Sequence, residues 1–543
     1  MRAASHPAKR AACAIAAVLA VTATATGCGG GAGAASDGVL SSSWGDPQNP
    51  LEPANTNEVQ GGKVLNMIFR GLKRYDPETG EAQNMVAEKF ETTDSQNFTI
   101  TLKDGWTFSN GEKVTAKSFV DAWNYAAHID NRQNNAPFFA DIVGYDDVHP
   151  QSGSAKAKTM SGLVVKDELT FTVALKDKFS TWPETLGYSA FMPLPQAFFT
   201  DHAAWLDKPV GNGPYTVLSY TKGRDMKLRR RDDYKGPDKA QNVGVDLRVY
   251  TDNNIAYQDL ISGNLDLADD IPAQQLRNVK SDLGDRYINQ PALIIQTVVF
   301  PFYRPEWSKP GMEKVRIGIS KAINREQITR QIYQETRTPT KDWTSPALAE
   351  AGGYSDICGD ACVFDAAEAK RLIEEGGGLP GGRITLTSNV DTGSHRQWMD
   401  AVCNSINNVL GKGPVCTVNP VGTFADFRGQ VTTGKMTGPY RSGWQADYPL
   451  IQNFLQPLYY TGGSSNNGKF SDKQFDSLID RANAESDQEK AVELFQEAER
   501  ILAAQMPAIP LWYQNGSAGY TERLSDVKLN QFSVPVYEQI KVG

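Results

Sequence analysis

Two short stretches in the first half of the chain alternate apolar and polar side chains. Residues 98–103 read FTITLK and residues 169–175 read LTFTVAL, so an apolar residue stands at every second position. A period of two is typical of half-buried strands, and Asn110-Gly111 between these stretches is a strong hairpin-turn signal. We therefore expect an α+β segment over residues 77–199.

Other stretches carry the apolar spacing of helices. Thr115 precedes apolar residues at 119, 120 and 123, and we expect it to cap a helix. Asn324 and Gln327 have the pattern of a capping pair at the start of another helix. Apolar stripes over 475–482 and 494–502 predict two more, with buried apolar faces. Helices mixed with strands, without a repeat of 20–50 residues, indicate α/β or α+β domains.

Length and composition restrict the class of protein. The chain has 543 residues, enough for about three to five domains, and its 40% hydrophobic and 22% charged residues are typical of globular proteins with real cores. The net charge of −8 gives no general attraction for nucleic acid, and no basic run is interleaved with aromatic residues. We therefore expect no nucleic-acid partner.

The N-terminus has the pattern of an export signal. Three basic residues precede the apolar run Ala11–Val21, which has the size of a signal-peptide core and is too short to span a bilayer. The small residues before Cys28 resemble a bacterial lipobox, although Ala25 stands where leucine is usual. We expect a signal peptide over 1–27, lipidation of Cys28 and a flexible tether over 28–37, which would anchor the protein to the outer face of the cell membrane. A plain secreted protein cut nearby is the alternative.

Four cysteines remain after residue 28. The simplest pairing is Cys358–Cys362 with Cys403–Cys416, which an oxidising compartment permits, but four cysteines allow three pairings. A structural zinc site is the rival interpretation, and the cysteine spacings fit it poorly.

Catalytic motifs are incomplete. Gly463–Lys469 begins like a phosphate-binding loop, but Phe470 stands where serine or threonine is required. The histidines are dispersed, and no serine-hydrolase or zinc-protease motif occurs; a carboxylate pair for glycoside hydrolysis is not excluded. We expect a binding protein without metal or cofactor rather than an enzyme, with a hydrolase of cryptic site and a structural surface protein as the rival classes.

Five stretches, taken in order, resemble the extracytoplasmic solute-binding proteins of family 5, which deliver peptides and other solutes to ABC importers. Gly318 and Asn324 depart from the family pattern within the fourth. The stretches are 87–116, 211–215, 256–266, 315–326 and 476–511.

The resemblance implies an α/β fold of two lobes that close on a ligand about a hinge, with mixed sheets flanked by helices and an additional inserted α+β domain. Lobe I would be discontinuous and the inserted domain would interrupt it. A monomer that meets a membrane permease is also implied. The implied ranges are 38–76, 200–293 and 508–543 for lobe I, 77–199 for the inserted domain and 294–507 for lobe II.

Residues 441–448 resemble the R-x-G-W-x-A-D-Y segment of oligopeptide-binding members of the family. The resemblance implies that Asp447 pairs with the α-ammonium group of a peptide. It implies that Gly443, Trp444 and Gln445 hold the peptide main chain as an added strand, and that Arg441 meets its carboxylate. The alternatives are a surface or capping role for Asp447, core packing for Trp444 and an internal salt bridge for Arg441.

Two weaker matches complete the predicted site. Ser43 and Trp44 would supply main chain facing the peptide, and Phe138 would line the side of the inserted domain. Because the family also binds nickel chelates, sugars, haem and antibiotics, and includes sensors, a non-peptide solute is the main alternative.

Overall fold

The computed structural model describes residues 38–334, 336–348, 352–390, 395–411 and 413–543. The predicted signal peptide, the tether and Cys28 lie outside these residues. Residues from Asp37 onward form one compact unit.

The strands carry nearly all of the architecture that positions the site. In chain order they are β1 (Val39–Trp44), β2 (Lys73–Tyr75), β3 (Ala82–Asn84), β4 (Ala87–Glu91), β5 (Asn97–Leu102), β6 (Leu163–Val165), β7 (Thr170–Ala174), β8 (Tyr215–Thr221), β9 (Asp225–Arg230), β10 (Gly244–Val249), β11 (Leu267–Ala268), β12 (Tyr287–Val299), β13 (Arg337–Pro339), β14 (Ile384–Asn389), β15 (Cys416–Val421), β16 (Tyr440–Gln445), β17 (Ala508–Tyr520), β18 (Leu524–Ser525) and β19 (Lys541–Val542).

Helices cover the faces of these strands. They are α1 (Val59–Ile68), α2 (Ala116–Ala127), α3 (Tyr145–Val148), α4 (Trp182–Thr185), α5 (Gln196–Thr200), α6 (His202–Asp207), α7 (Asn253–Ile261), α8 (Val279–Leu283), α9 (Pro305–Ser308), α10 (Met312–Lys321), α11 (Arg325–Tyr333), α12 (Ala366–Glu375), α13 (His395–Leu410), α14 (Phe424–Thr432), α15 (Ile451–Tyr459), α16 (Lys473–Ala484) and α17 (Gln488–Gln505).

One mixed sheet runs through two lobes. Its strand order is β15-β14-β16-β12-β17-β11-β1-β10-β9-β8, and β13 pairs with β17 beside this path. Lobe I is built around β1 and β8–β11, and lobe II around β14–β16. The two-lobed α/β fold expected from the sequence is confirmed.

Two long antiparallel strands, β12 and β17, connect the lobes. Their register shifts between Pro291 and Ile295 and again between Gln296 and Thr297. The first half of β12 pairs with the second half of β17 next to β11, whereas the second half of β12 lies between β16 and the first half of β17. Irregularities of this kind bend and twist a strand pair, here at the place where the pair passes from one lobe to the other. The predicted boundary between lobe I and lobe II, at 293/294, falls inside β12. The predicted domain ranges stay predictions.

The segment predicted to be an inserted domain contains a separate four-stranded sheet, ordered β4-β5-β7-β6. Its apolar side chains share one core with lobe I, while lobe II has a core of its own. The predicted strands at 98–103 and 169–175 are confirmed, since they coincide with β5 and β7 and pair with each other.

The predicted helices are present with one difference in capping. Thr115 and Ser118 form a capping box at the start of α2. Asn324 Oδ1 accepts from the Gln327 N–H at 3.0 Å, as expected. The Asn324 N–H, however, donates to Ser405 Oγ at 3.0 Å, so α13 supplies the second half of the expected capping pair.

Both predicted disulfides are present, Cys358–Cys362 and Cys403–Cys416. The zinc alternative is wrong, because paired sulfurs offer no thiolate to a metal. Among the described residues, no helix combines the length and the apolar character needed to cross a lipid bilayer.

Candidate functional site

A cavity of about 250 Å³ lies where the two lobes and the 77–199 segment meet. Lobe I contributes α1, β2 and the loop 530–538 to its wall, and the 77–199 segment contributes residues 187–192. Lobe II contributes Gln445, the last residue of β16, and Ala446 and Asp447, which follow it directly. A ligand held here would contact both lobes at once.

Asp447 is fixed in this cavity by a buried amide. Asn453, in the first turn of α15, is 1% exposed. Its Oδ1 accepts from the Asp447 N–H at 2.9 Å and from Trp444 Nε1 at 3.0 Å. Its Nδ2 donates to Asp447 Oδ2 at 3.3 Å. The end of β16 and the carboxylate are thus held by one side chain of the following helix.

The Asp447 carboxylate is desolvated and stands without an opposite charge. Burial raises its pKa to about 7, although the hydrogen bond from Asn453 acts in the opposite direction. Across the described part of the chain, Asp447 makes no ion pair. A partly exposed carboxylate held in this way is electrostatically prepared for a cation that arrives from outside.

The other charged groups of the cavity wall already have partners. Its four basic side chains each meet an acid, and Glu58 accepts from the Gly61 N–H at 2.8 Å as the cap of α1. Among the described residues, Asp447 and Glu58 are therefore the acidic wall residues without an ion pair, and Glu58 lies at the N-terminus of α1, where the helix dipole favours a negative charge. The basic pairs are Lys63–Asp269, Arg70 and Arg74 with Asp238 and Glu538, and Lys73–Glu184.

The edge of β16 beside the cavity can accept another strand. On one side β16 pairs with β12 over its whole length. On the other side β14 contacts it by one pair, Thr387 with Tyr440. Within the described residues, no strand pairs with Ser442–Gln445 on that second side. An extended ligand main chain can add to such an edge by β-augmentation.

The predicted residues of β16 are spread along this strand. Gly443 is exposed, and Trp444 is half-buried against the core of lobe II. Gln445 lines the cavity, and its Nε2 donates to the Phe532 carbonyl at 3.1 Å. Arg441 lies at the far end, with its guanidinium 5.7 Å from the centre of the Phe424 ring.

Ser43, Trp44 and Phe138 are not among the described residues that line this cavity. Ser43 and Trp44 are 6% and 3% exposed at the end of β1, and Trp44 Nε1 donates to the Gln60 carbonyl at 2.9 Å. Any contact of Trp44 with a ligand would therefore use its main chain. The Phe138 ring centre is 4.5 Å from that of Tyr188. The roles predicted for these residues stay predictions.

Sequence reasoning missed three residues of the site. Tyr75, Tyr188 and Asn453 come from three separate segments. Asn453 could have been predicted from the sequence, because a polar side chain in an otherwise apolar helical stretch needs a buried hydrogen-bond partner. Tyr75 and Tyr188 could not, since only the tertiary fold brings them to the cavity.

Comparison with known proteins agrees with the two-lobed fold. The family model of bacterial extracellular solute-binding proteins, family 5 Middle, matches residues 81–466. The oligopeptide-binding protein OppA of Bacillus subtilis (strain 168) is 24% identical over 88% of this chain and 88% of its own. The dipeptide-binding protein DppE of the same strain is 24% identical over 87% of this chain and 85% of its own. The crystal structure of Haemophilus influenzae OppA in complex with RPPGFSPFR superposes with a TM-score of 0.74 at 19% identity, covering 94% of this chain and 99% of that one.

Proposed function

The chain belongs to the bacterial extracellular solute-binding proteins of family 5, and we propose that it captures oligopeptides between its two lobes for delivery to an ABC-type importer. The relatives described above are named for oligopeptides and dipeptides. Asp447 would bind the α-ammonium group of the peptide. The protein would act by binding and release, without catalysis.

The observation that carries this proposal is the uncompensated carboxylate of Asp447 in the cavity between the lobes. An ammonium group enclosed there loses its hydration and needs a fixed opposite charge. A ligand that supplied only negative or neutral groups would leave the Asp447 charge buried without a partner. The site therefore favours a ligand whose enclosed end is cationic.

The free edge of β16 extends this proposal from an amine to a peptide. Main-chain hydrogen bonds to Gly443–Gln445 would hold an extended peptide without discriminating between its side chains. Asp447 lies six residue steps from Arg441, roughly 20 Å at about 3.4 Å per extended residue. A peptide of about five residues would thus reach Arg441 with its carboxylate.

Calorimetry with alanine peptides of three to five residues tests the function. We expect a free amino terminus to be required, so that N-acetylation of the best-bound peptide weakens binding at least 30-fold. Equal affinity for the free and acetylated forms would contradict the peptide assignment. If none of these peptides bound, native mass spectrometry of the purified protein would show whether a non-peptide solute takes their place.

Anchoring is a separate part of the proposal. Cys28, outside the described residues, would carry a lipid that holds the protein at the outer face of the cell membrane beside its permease. We expect Cys28→Ala to release the protein into the medium, as shown by fractionation, with Cys358→Ala as a control that stays in the membrane fraction. Full retention of the Cys28 variant would exclude the lipid anchor.

A further inference from the structure

Ser180 joins the 77–199 segment to lobe II by hydrogen bonds. It lies two residues before α4, is half-buried and is not among the described residues that line the cavity. Its N–H donates to the Asn483 carbonyl at 2.7 Å. Its hydroxyl donates to the Glu485 carbonyl and lies 3.2 Å from the Asn483 carbonyl. Both acceptors belong to lobe II, at the end of α16.

The two sides of this contact are anchored in different cores. Phe179 and Trp182, on either side of Ser180, are buried in the core that the 77–199 segment shares with lobe I. Ile479 and Ala482 of α16 are buried in the core of lobe II. Each side of the contact therefore moves with its own core. Any movement that parts the 77–199 segment from lobe II has to break the hydrogen bonds of Ser180.

The acceptors are carbonyl groups that a helix leaves free at its end. The last carbonyls of a helix have no partner within the helix. Asn483 lies in the last turn of α16, and Glu485 is its C-cap. When the lobes part, water can replace Ser180 at these carbonyls, so the net free energy of each hydrogen bond is modest. Bonds of this strength can bias an equilibrium between two arrangements and still break.

A line of side-chain hydrogen bonds connects this contact with the cavity. Asn483 Nδ2 donates to Gln456 Oε1 at 2.9 Å, and Gln452 Nε2 donates to the same oxygen at 2.5 Å. Gln452 Oε1 in turn accepts from the Tyr448 hydroxyl at 2.7 Å. Tyr448 follows Asp447 directly in the chain. The helix α15, whose residue 453 holds Asp447, thus also holds the acceptor side of the contact between the lobes.

We propose that Ser180 is a latch: its hydrogen bonds to Asn483 and Glu485 hold the lobes together over a ligand, and α15 positions the acceptor side of the latch relative to Asp447. The inference rests on the proposed capture of a ligand between the lobes. It adds a residue beyond the cavity wall that sets how long the ligand is retained. Because the latch forms after the ligand has entered, its loss should act on release rather than on entry.

Ser180→Ala tests the latch, because it removes the hydroxyl and keeps the N–H. Surface plasmon resonance with the best-bound of the alanine peptides gives the two rate constants separately. We expect dissociation to be about 2- to 10-fold faster, the range for one neutral hydrogen bond, with the association rate unchanged. Ser152→Ala, exposed in the same segment, is the matched control and should release the peptide as wild type does.

Substitution of Gln456 tests the positioning by α15. Gln456→Leu removes the oxygen that holds Asn483, and we expect it to speed dissociation as Ser180→Ala does. Since the two changes act on one contact, the double variant should lose less than the product of the two effects. Gln456→Glu keeps an acceptor at this place and should retain the rate of wild type. Wild-type release from Gln456→Leu would overturn the role of α15.

Scattering from the ligand-free protein makes the latch testable without a peptide. Ser180→Arg places a long side chain between the two sides of the contact and should hold them apart. We expect its radius of gyration in small-angle X-ray scattering to exceed that of wild type, whereas Ser152→Arg should match wild type. An increase in a protein that binds none of the alanine peptides would support the latch while removing the peptide assignment.

The measurements separate a latch from a static contact. If a peptide binds, release from Ser180→Ala at the rate of wild type overturns the inference, whether or not the variant is less stable to denaturant. If none binds, an equal radius of gyration for Ser180→Arg and wild type overturns it.

Discussion

Asp447→Asn should weaken binding of a free-amino-terminus peptide by roughly 30-fold to several-thousand-fold. Breaking one side of a buried, hydrogen-bonded charge pair costs about 2–5 kcal/mol, and about 1.4 kcal/mol is a factor of ten in affinity. Asparagine has nearly the same shape and keeps a partner for Asn453, so the loss reports the charge rather than the packing. Isothermal titration calorimetry at pH 8, where the carboxylate is ionised, measures it directly.

A double-mutant cycle tests whether the loss of affinity comes from the interaction between Asp447 and the ammonium group. N-acetylation of the peptide removes the ammonium group, the other partner of the same interaction. The combined cost of Asp447→Asn and acetylation should therefore fall well short of the sum of the two. Asp232→Asn, whose side chain is 89% exposed beside Arg230, is the control and should bind as wild type does. Additive losses would show that Asp447 does not face an ammonium group, and a non-peptide solute would become the better assignment.

The same substitution should make the ligand-free protein more stable. The pKa of Asp447 rises from 3.8 to about 7 on folding, mainly through burial. Folding therefore favours the protonated form, and wild type loses stability as the pH rises from about 4 to about 7. At about 1.4 kcal/mol per pH unit the ceiling is about 4 kcal/mol, and partial solvent access reduces this to about 2–3 kcal/mol at pH 8.

Denaturant unfolding of the ligand-free protein at pH 5 and pH 8 measures this gain. Asp447→Asn should exceed wild type by about 2–3 kcal/mol at pH 8 and by about 1 kcal/mol at pH 5, because only the part of the loss between about pH 4 and pH 5 has occurred there. A variant less stable than wild type at both values would mean that the carboxylate contributes to folding rather than costing stability. The expected result, weaker binding with greater stability, would mark Asp447 as a residue maintained for its ligand.

The sequence predicted the parts of the fold that short-range patterns determine. Alternation at 98–103 and 169–175 placed two strands, and the capping residue Thr115 placed the start of α2. The path of the large sheet depends on pairings between residues more than 200 positions apart, such as Ile288 with Ala518, which no local pattern encodes. That topology entered only through resemblance to a family.

The candidate site likewise contains residues that the sequence predicted and residues that it did not. Asp447 and Gln445 stood in one contiguous motif, and both line the cavity. Tyr75 and Tyr188 reach the cavity wall from distant segments, and a Cβ on Gly187 would lie 2.6 Å from the Tyr75 ring. Phe138 was named as a wall residue, which stays a prediction; its ring centre lies 4.5 Å from that of Tyr188, a residue that lines the cavity. Contacts of this kind depend on three-dimensional packing, which short-range periodicity does not report.

The crossing of β12 and β17 also bears on the order in which the chain acquires structure. Lobe II is almost contiguous in sequence, yet its sheet includes the first half of β17, where Ala508, Ile509 and Leu511 are fully buried. Lobe I needs the second half of the same strand. Neither lobe can complete its sheet until the C-terminal segment has been synthesised, so a chain truncated before Ala508 would expose unpaired strand edges in both. Completion of the sheet in either lobe therefore has to wait for β17, unlike the domain-by-domain folding open to chains whose domains are each continuous.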